Sequence, residues 1–405
     1  MASQGYDVVV VGRGIVGSSA ALRCARAGAR VAVVDCAAPG QATAAGAGII
    51  APVGLGGDEV GDAWTSLVGS AIDSYRRLLD DLTDSDHDPG FARVGELVVA
   101  TREEDQPALE LLAERLRLLG ERGVDLGAVT RLGSRDVTEA WPELSSHLSA
   151  LHIENVGRVD GRRVQASLQA AATAAGAVFQ SGDATLRVVD NRAELRVNGR
   201  GVSTGSVVLA TGAWSQPFLH DLGVHVSVQP VRGQILHLQL PAADTERRPV
   251  VNTFEGHYFL GFPGRRVVTG ATHEPAAGFD HRVTAGGQSA VLQRTLRIAP
   301  GLADATVVET RVGFRPQSSD GYPVVGRSPA SRDVVVATGL GAWGLTLGPL
   351  IGQVAAEQAL GLPVGYDADF LSPAREPIDT PPLVPHAPMS TGATRAPSDP
   401  EGTQS

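Results

Sequence analysis

Lysine is absent from this sequence, so all 34 of its basic residues are arginines. Without an ε-amino group the chain cannot form the Schiff base on which pyridoxal phosphate chemistry depends. Cysteine is scarce as well, because Cys24 and Cys36 are the only two, and they form no Cys-x-x-Cys pair and lie near no histidine cluster. This spacing argues against a disulfide framework and a zinc site. No metal is therefore predicted, and both thiols are expected to be buried.

Long apolar runs and basic runs are also missing. No run of about 18 apolar residues occurs, which argues against a transmembrane segment. The N-terminus shows no basic segment followed by a long apolar one, so no export signal is predicted and a cytoplasmic location is expected. The net charge of -10 and the lack of a basic run argue against nucleic acid as a partner.

A glycine motif provides the first positive signal. Gly12, Gly14 and Gly17 follow an apolar strand over residues 6–11 and open a helix over about 15–27. In a βαβ unit of this kind the first glycine permits the turn, the second admits a pyrophosphate and the third lets helix and strand approach each other. The pattern predicts a dinucleotide site, although a glycine turn without a ligand is the competing interpretation.

The residues around this turn indicate which dinucleotide is bound. Asp35 ends the next strand, where a carboxylate accepts hydrogen bonds from ribose hydroxyls and repels a 2'-phosphate. The amides of Ile15 and Val16 at the helix start are expected to face the phosphates. A stretch of small residues follows where NAD-binding folds usually begin a second repeat, and its free amides favour FAD. Its predicted contacts are Thr43, Ala44, Ala45, Gly46, Ala47 and Gly48.

The remaining pattern predicts an α/β fold with a Rossmann-type FAD-binding domain and a second α+β substrate domain built on an antiparallel sheet. A hairpin over 185–197 is expected to return to the first sheet, and the last helix is expected to begin near Leu347. The predicted bounds are 1–60, 150–222 and 310–371 for the discontinuous FAD-binding domain, 61–149 and 223–309 for the substrate domain, and 372–405 for a proline-rich disordered tail.

Several further segments resemble the D-amino-acid oxidase superfamily of FAD-dependent oxidoreductases, and most of all its glycine oxidase branch. The resemblance covers about residues 5–371. Besides the opening turn and residues 42–48, it is carried by the segments 157–163, 208–215, 231–234, 311–316, 320–326 and 337–345.

The resemblance implies three substrate-site residues. Arg315, in a Gly-Phe-Arg-Pro sequence, would bind the substrate carboxylate beneath the flavin ring through two hydrogen bonds. Tyr258 would add a hydrogen bond to the same carboxylate, and His273 would face the substrate as a proton acceptor or as a wall of the pocket. From the residues alone, two alternatives to these substrate contacts stay open: Arg315 pairs with Glu309, and Tyr258 is an ordinary core residue of its strand.

The resemblance also implies further FAD contacts. The last helix would point at the flavin pyrimidine and favour the negative charge of the reduced ring. The backbone of Ala184 would contact the adenine. The segment 313–326 lacks the cysteine that carries the covalent flavin of sarcosine oxidases, so the FAD is expected to be noncovalent. The other implied FAD-binding residues are Thr211, Gly212, Trp214, Gly341, Ala342, Trp343, Gly344, Leu345 and Thr346.

The reaction implied by this resemblance is oxidation of the carbon next to the amine nitrogen of a small amino acid or N-substituted amino acid. A hydride would pass to flavin N5, an imine would form, and oxygen would be reduced to hydrogen peroxide. Some relatives activate oxygen with a lysine, which this chain lacks, so a dehydrogenase that passes electrons to a quinone or carrier protein is an alternative. A flavin-dependent hydroxylase, a cofactor-binding protein without activity and a homo-oligomeric state also stay open.

Overall fold

The computed structural model describes residues 5–52, 62–83, 88–366 and 368–378. A six-stranded sheet contains the first βαβ unit. The strands Tyr6–Val11, Val31–Asp35 and Val334–Thr338 are mostly apolar and buried, as expected for the inner part of a sheet that is covered on both faces. Five strands are parallel, and one edge strand is antiparallel. Their order is Val324–Arg327, Val334–Thr338, Thr204–Leu209, Tyr6–Val11, Val31–Asp35 and Val178–Ser181.

Three helices, Ile15–Arg26, Gly161–Ala174 and Gly344–Leu360, pack together beside this sheet. Gly352 permits the close approach of the first and last, because a Cβ there would lie 2.5 Å from the carbonyl oxygen of Val16. The last helix begins at Gly344, three residues before the predicted start, and Gly361 ends it in the left-handed conformation at φ 69°.

An eight-stranded sheet forms the second layer, and it confirms the predicted antiparallel architecture. Neighbouring strands are antiparallel except for one parallel pair, Val250–Thr253 with Glu96–Ala100. Its helices include Gln106–Glu121, Ser134–Ala140 and Ala285–Ile298. The strand order is Thr306–Ser318, Val228–Gln239, Arg266–Gly270, Tyr258–Phe262, Val250–Thr253, Glu96–Ala100, Ser149–Ile153 and Val129–Leu132.

Shorter elements complete the described fold. The helix Asp62–Thr83 packs against the last helix, in agreement with the helical spacing of its apolar residues. Two short helices, Ala42–Ala45 and Gln216–Leu219, lie near strand ends of the first sheet. One small sheet consists of Ile49–Ile50, Gly157–Arg158 and Ala92–Arg93, and another of Ala184–Val189, Arg192–Val197 and Arg200–Val202.

Three expectations about structure were wrong. The predicted hairpin does not join the six-stranded sheet; it belongs to a separate three-stranded sheet. Exposed and buried residues alternate along this hairpin, as is typical of a sheet that packs through one face only. Leu195 and Val197 lie on the buried face and pack in an apolar cluster with strands of the six-stranded sheet. Cys24 is buried as expected, but Cys36 is exposed.

The third correction concerns residues 372–378 of the predicted disordered tail, which have a defined place in the structure. Arg375 forms an ion pair of 3.0 Å with the fully buried carboxylate of Asp320 and donates to the carbonyl oxygen of Tyr322. The remainder of the predicted tail, 379–405, lies outside the described residues.

The domain bounds stay a prediction. The strand Thr306–Ser318 crosses the predicted bound at 310, and all of it lies in the eight-stranded sheet.

Within the described ranges, no helix has both the length and the apolar composition needed to cross a lipid bilayer.

Candidate active site

A cavity of about 1130 Å³ extends from the six-stranded sheet to the eight-stranded sheet. Its first half lies at the carboxyl ends of the parallel strands Tyr6–Val11, Val31–Asp35 and Thr204–Leu209. In open α/β sheets this edge is the usual place for a dinucleotide. Its second half is formed by the strands Val228–Gln239, Tyr258–Phe262 and Thr306–Ser318 of the other sheet.

The glycine motif forms a tight turn in the first half of the cavity, which we call the cofactor half. Gly12 has a φ of 103°, and a Cβ there would lie 2.3 Å from the carbonyl oxygen of Ala210. A Cβ on Gly17 would lie 1.9 Å from the carbonyl oxygen of Gly12, so this position serves the contact between helix and strand rather than the cavity wall. The amide of Ile15 donates to Thr43 Oγ1 at 3.0 Å, whereas those of Gly14 and Val16 have no acceptor among the described residues. These two amides are available to a phosphate.

Asp35 is held in place by three donors. Its carboxylate accepts hydrogen bonds from the amides of Arg13 at 3.0 Å and Ala37 at 2.6 Å, and from Gln41 Nε2 at 2.9 Å. A carboxylate offers about four accepting positions, so one is left for a ligand. Since Asp35 lines the cavity, the remaining position suits a ribose hydroxyl.

The structure brings most of the predicted cofactor residues to this cavity. Ala184 and Trp214 line it, and so do Gly344, Leu345 and Thr346 at the start of the last helix. The other predicted residues on its wall are Gly12, Gly14, Ile15, Val16, Asp35, Thr43, Ala45, Gly46, Ala47, Gly48, Thr211, Gly212, Gly341 and Ala342.

Three predicted cofactor residues do not line the cavity: Gly17, Ala44 and Trp343. The Trp343 side chain is buried in the core and packs edge-to-face on Trp64, with ring centroids 5.4 Å apart. The carbonyl oxygen of Ala44 accepts from Arg311 Nη1 at 3.3 Å.

Some cavity residues were not predicted from the sequence. Gln41, Phe314 and Gln317 line the cavity, and so does the exposed Cys36 beside Asp35. Sequence periodicity does not identify such residues, because they lie in loops and at strand ends that are distant in the chain and meet only in the folded protein. The glycine turn, the carboxylate at the strand end and the helix start at Gly344 together fit FAD.

Arg315 lies in the second half of the cavity, which we call the substrate half, and none of the described carboxylates contacts its guanidinium. Its Nη1 donates to the carbonyl oxygen of Thr272 at 3.3 Å, and among the described residues it forms no ion pair. Glu309 instead pairs with Arg162 at 2.6 Å and with Arg311 at 2.9 Å. The alternative pairing of Arg315 with Glu309 was therefore wrong, and the guanidinium is available to a ligand.

Tyr258 combines a core ring with a hydroxyl at the cavity. The residue is 5% exposed, and its ring packs in the apolar cluster of the eight-stranded sheet. Burial raises the pKa of the hydroxyl to about 12, while the charge and hydrogen bond of Arg315 act in the opposite direction. The hydroxyl therefore lies next to Arg315 and stays protonated at neutral pH, where it can donate to an anion.

His273 is the third predicted substrate residue at this cavity. Burial lowers the pKa of its imidazole, and the nearby charge of Arg315 lowers it further. The ring is therefore neutral at pH 7, which leaves a nitrogen lone pair that can accept a proton.

A polar network supports the segment that contacts Arg315. Glu274 accepts from Arg232 Nε at 3.1 Å, from Gln234 Nε2 at 2.8 Å and from Thr272 Oγ1 at 2.5 Å. The backbone amide of Gln234 donates in turn to Thr272 Oγ1 at 2.9 Å. Arg232 and Gln234 are both buried in the strand Val228–Gln239, so each needs a hydrogen-bonding partner within the fold. In the described part of the chain, no group of three or more His, Cys, Asp or Glu residues is arranged to hold a metal ion.

These features define a class of protein. A dinucleotide turn at the ends of parallel strands, joined to an antiparallel sheet that presents a guanidinium with no carboxylate partner among the described residues, suits a flavin-dependent oxidoreductase. The chain belongs to the DAO family of FAD dependent oxidoreductases, whose model matches residues 7–358. It is accordingly an FAD-dependent enzyme.

Similar proteins support this family membership. The uncharacterized oxidoreductase YurR of Bacillus subtilis is 38% identical over 369 residues, covering 90% of this chain and 98% of YurR. The glycine oxidase of Geobacillus kaustophilus is 30% identical, covering 87% of this chain and 92% of that enzyme. The crystal structure of iminodiacetate oxidase from Chelativorans sp. BNC1 has a TM-score of 0.85 and 39% identity, covering 94% of this chain and 100% of that one.

Proposed function

We propose that this enzyme oxidises the carbon next to the amine nitrogen of a small amino acid or N-substituted amino acid to an imine, with oxygen as the final electron acceptor. The observation that carries the proposal is the carboxylate-free guanidinium of Arg315 on the cavity wall. The names of two similar enzymes support it, since glycine and iminodiacetate are both amines with a carboxylate one carbon away from the nitrogen.

The chain's own residues would act mainly by binding and orienting the substrate. Arg315 would hold the carboxylate through two parallel hydrogen bonds, and the protonated hydroxyl of Tyr258 would donate a third. This fixes the position of the adjacent carbon, and positioning is a large part of catalysis in such reactions. FAD would supply the two-electron acceptor for the hydride, and oxygen with two protons would give hydrogen peroxide.

His273 would help to keep the amine reactive. An ammonium nitrogen has no lone pair to assist loss of a hydride from the neighbouring carbon, so the substrate must react as the free amine. The neutral imidazole beside the cavity can accept the proton that the ammonium loses. Water then hydrolyses the imine to a carbonyl compound and an amine or ammonia.

The lack of lysine favours a second candidate, a dehydrogenase with the same substrate site and a quinone or carrier protein as acceptor. Both candidates can be tested by mixing the purified holoenzyme anaerobically with glycine, sarcosine, D-alanine and iminodiacetate. Loss of the visible absorbance of the oxidised flavin supports amine oxidation, and no loss with any amine contradicts it. In air, one hydrogen peroxide per imine identifies an oxidase. A much lower yield, with turnover restored by a quinone, identifies the dehydrogenase.

A further inference from the structure

A β-bulge lies beside the substrate half of the cavity, at the end of one strand of the eight-stranded sheet. Gly270 is paired with Ile235, and the backbone amide of Thr272 donates to the carbonyl oxygen of Gln234 at 3.2 Å. Since Ile235 and Gln234 are adjacent in the chain, Ala271 is an extra residue between two paired positions. Ala271 and Thr272 both line the cavity. Bulges of this kind change the direction of the groups that follow, and they are common beside active sites.

The antiparallel pairing continues after the bulge, but one of its backbone hydrogen bonds is replaced. In a hydrogen-bonded antiparallel pair, the amide of each residue donates to the carbonyl oxygen of the other. Arg232 and Glu274 exchange both bonds in this way, at 3.3 Å and 3.0 Å. In the neighbouring pair, however, the backbone amide of Gln234 donates to Thr272 Oγ1 at 2.9 Å rather than to the carbonyl oxygen of Thr272. The hydroxyl of Thr272 therefore replaces its own carbonyl oxygen in the pairing.

The carbonyl oxygen of Thr272 contacts the substrate-site guanidinium instead. It accepts from Arg315 Nη1 at 3.3 Å. One residue at the margin of the sheet thus has two contacts of different kinds: its hydroxyl bonds to the neighbouring strand, and its carbonyl oxygen bonds to Arg315. The second contact depends on the first, because a regular pair would use the carbonyl oxygen of Thr272 for the amide of Gln234.

Glu274 fixes the direction of the Thr272 hydroxyl. Burial raises the pKa of the Glu274 carboxyl, but the hydrogen bonds of its donors, that of Arg232 above all, bring the pKa below its ordinary value. The group is therefore ionised at neutral pH and can only accept hydrogen bonds. Thr272 Oγ1 must then donate to Glu274 Oε1, at 2.5 Å, which leaves its lone pairs for the amide of Gln234.

A buried hydroxyl ordinarily does no more than find a partner in the fold, and Thr269 of the same strand is an example. It is 0% exposed, and its Oγ1 lies 2.9 Å from both Thr295 Oγ1 and His257 Nε2. Its backbone keeps a regular pairing, with Leu236. Thr272 differs from Thr269 because its hydroxyl takes over the function of a backbone acceptor.

We propose that Thr272 is a positioning residue for Arg315, because its hydroxyl binds the amide of Gln234 and so leaves its carbonyl oxygen free to hold the guanidinium toward the substrate carboxylate. Without the hydroxyl, the amide of Gln234 would bond to the carbonyl oxygen, and the guanidinium would lose this acceptor. The inference rests on the proposed function, since it takes a carboxylate as the ligand of Arg315. It concerns binding, however, and can be tested without turnover.

The test compares two substitutions at Thr272 with one at Thr269. Thr272→Val keeps the shape of the side chain and removes the hydroxyl, whereas Thr272→Ser keeps the hydroxyl. Thr269→Val is the matched control, because it also removes a buried, hydrogen-bonded hydroxyl, but from a residue that does not line the cavity. Thr272→Ala replaces Thr272→Val if the valine variant does not fold, since it removes the hydroxyl without a branched side chain.

The ligands are (methylthio)acetate and its neutral amide, (methylthio)acetamide. Sulfur replaces the amine nitrogen in both, so that no imine can form. Binding to the holoenzyme is followed by the change in the flavin spectrum, and the FAD content of each variant is determined in parallel. Because only the acid carries a negative charge, the difference in Kd between the two ligands reports on the guanidinium rather than on the general shape of the pocket.

The wild type should bind the acid more tightly than the amide. Thr272→Val should raise the Kd of the acid about tenfold, as for the loss of one hydrogen bond to a charged group, and that of the amide less than about twofold. Thr272→Ser and Thr269→Val should bind both ligands like the wild type. The inference is overturned by an unchanged Kd for the acid in Thr272→Val, by an equal rise for acid and amide, or by the same rise in Thr269→Val.

The two proposals fail in different ways. If amines reduce the flavin but Thr272→Val binds the acid like the wild type, the positioning role of Thr272 is wrong and the proposed oxidation stands. If no amine reduces the flavin but the preference for the acid depends on the Thr272 hydroxyl, the positioning role stands and the proposed reaction is wrong. A wild type that binds acid and amide equally well overturns the positioning role, because Arg315 then holds no carboxylate.

Discussion

Gly233 lies directly against the guanidinium of Arg315 on the neighbouring strand: a Cβ at Gly233 would lie 2.4 Å from Nη1 and 2.8 Å from Cζ. The side chain of Arg315 crosses the paired strands at this point, and only glycine leaves it room. The conflict involves the far end of a flexible side chain, so a methyl group would displace the guanidinium rather than the backbone.

Gly233→Ala should therefore weaken carboxylate binding while leaving the fold and the FAD site intact. We expect the Kd of a monocarboxylate ligand to rise about 10- to 100-fold, the cost of losing hydrogen bonds to a charged group. The measurement is a ligand titration of the holoenzyme, with FAD content determined in parallel. Gly201→Ala is the matched control, because Gly201 also lies in a strand and a Cβ there would meet nothing within 4 Å. Unchanged affinity in Gly233→Ala would mean that Arg315 binds no substrate carboxylate.

Arg315→Ala tests the same group by removing it. The expected loss in kcat/KM is about 2 to 5 kcal/mol of transition-state binding, the range for deleting one partner of a buried charged pair. Arg315→Lys should recover only part of this loss, since an ammonium group carries the charge but cannot form two parallel hydrogen bonds with a carboxylate. A loss of less than about tenfold in Arg315→Ala would assign Arg315 a peripheral role.

Tyr258→Phe isolates the contribution of one hydroxyl. Burial keeps the pKa of this hydroxyl at about 12, so it remains a neutral donor across the usual assay range. Its loss should reduce affinity for a carboxylate by about 3- to 10-fold, the value of one hydrogen bond, without changing the shape of the pH profile below about pH 10. The measurement is kcat/KM against pH for both enzymes. A basic limb that is present in the wild type and missing in the variant would show that the hydroxyl ionises during catalysis.

The cofactor half of the site could be predicted largely from the sequence, because its requirements are local. Gly12 and Gly17 are needed by contacts within one βαβ unit, and the spacing alone indicates them. Trp343 shows the limit of this approach: it lies among glycines that line the cavity, yet its side chain faces the core. Which way a side chain points in an irregular turn is decided by packing partners such as Trp64, which is far away in the chain.

The substrate half could be predicted only in part. Arg315 and Tyr258 were found through the resemblance, since periodicity marks both as ordinary strand residues. The network around Glu274 was not foreseen. It depends on contacts between a strand, a loop and the start of a helix that are tens of residues apart, and no local sequence pattern records such contacts.

The FAD should be released when the protein unfolds. The cavity contains one cysteine among the described residues, Cys36, and it lies beside Asp35 rather than in the segment 313–326. Acid precipitation should therefore leave all of the flavin in the supernatant and none in the protein pellet. Cys36→Ser should behave identically and retain its FAD before precipitation. Flavin that stays with the denatured wild type but not with Cys36→Ser would identify Cys36 as an attachment site.

Glu96 makes stability depend on pH at a place far from the chemistry. It is 1% exposed in the eight-stranded sheet, and Asn252 Nδ2 donates to its Oε1. Burial raises the pKa of the carboxyl from 4.5 to about 7, while the hydrogen bond from Asn252 opposes the rise. Because the folded state binds this proton more tightly than the unfolded state, the stabilisation is complete below pH 4.5 and is lost as the pH rises through 7.

Glu96→Gln should remove this dependence, since a neutral amide of similar size replaces the protonated carboxyl. The wild type should lose on the order of 3 kcal/mol of unfolding free energy between pH 4.5 and pH 8 from this group, at about 1.4 kcal/mol per pKa unit. The measurement is the urea unfolding of both holoenzymes at pH 5 and pH 8. Glu194→Gln, at an exposed strand position, is the control and should follow the wild type at both values. If Glu96→Gln lost as much stability as the wild type between these two pH values, Glu96 would have to be ionised in the folded protein, and another buried group would carry the pH dependence.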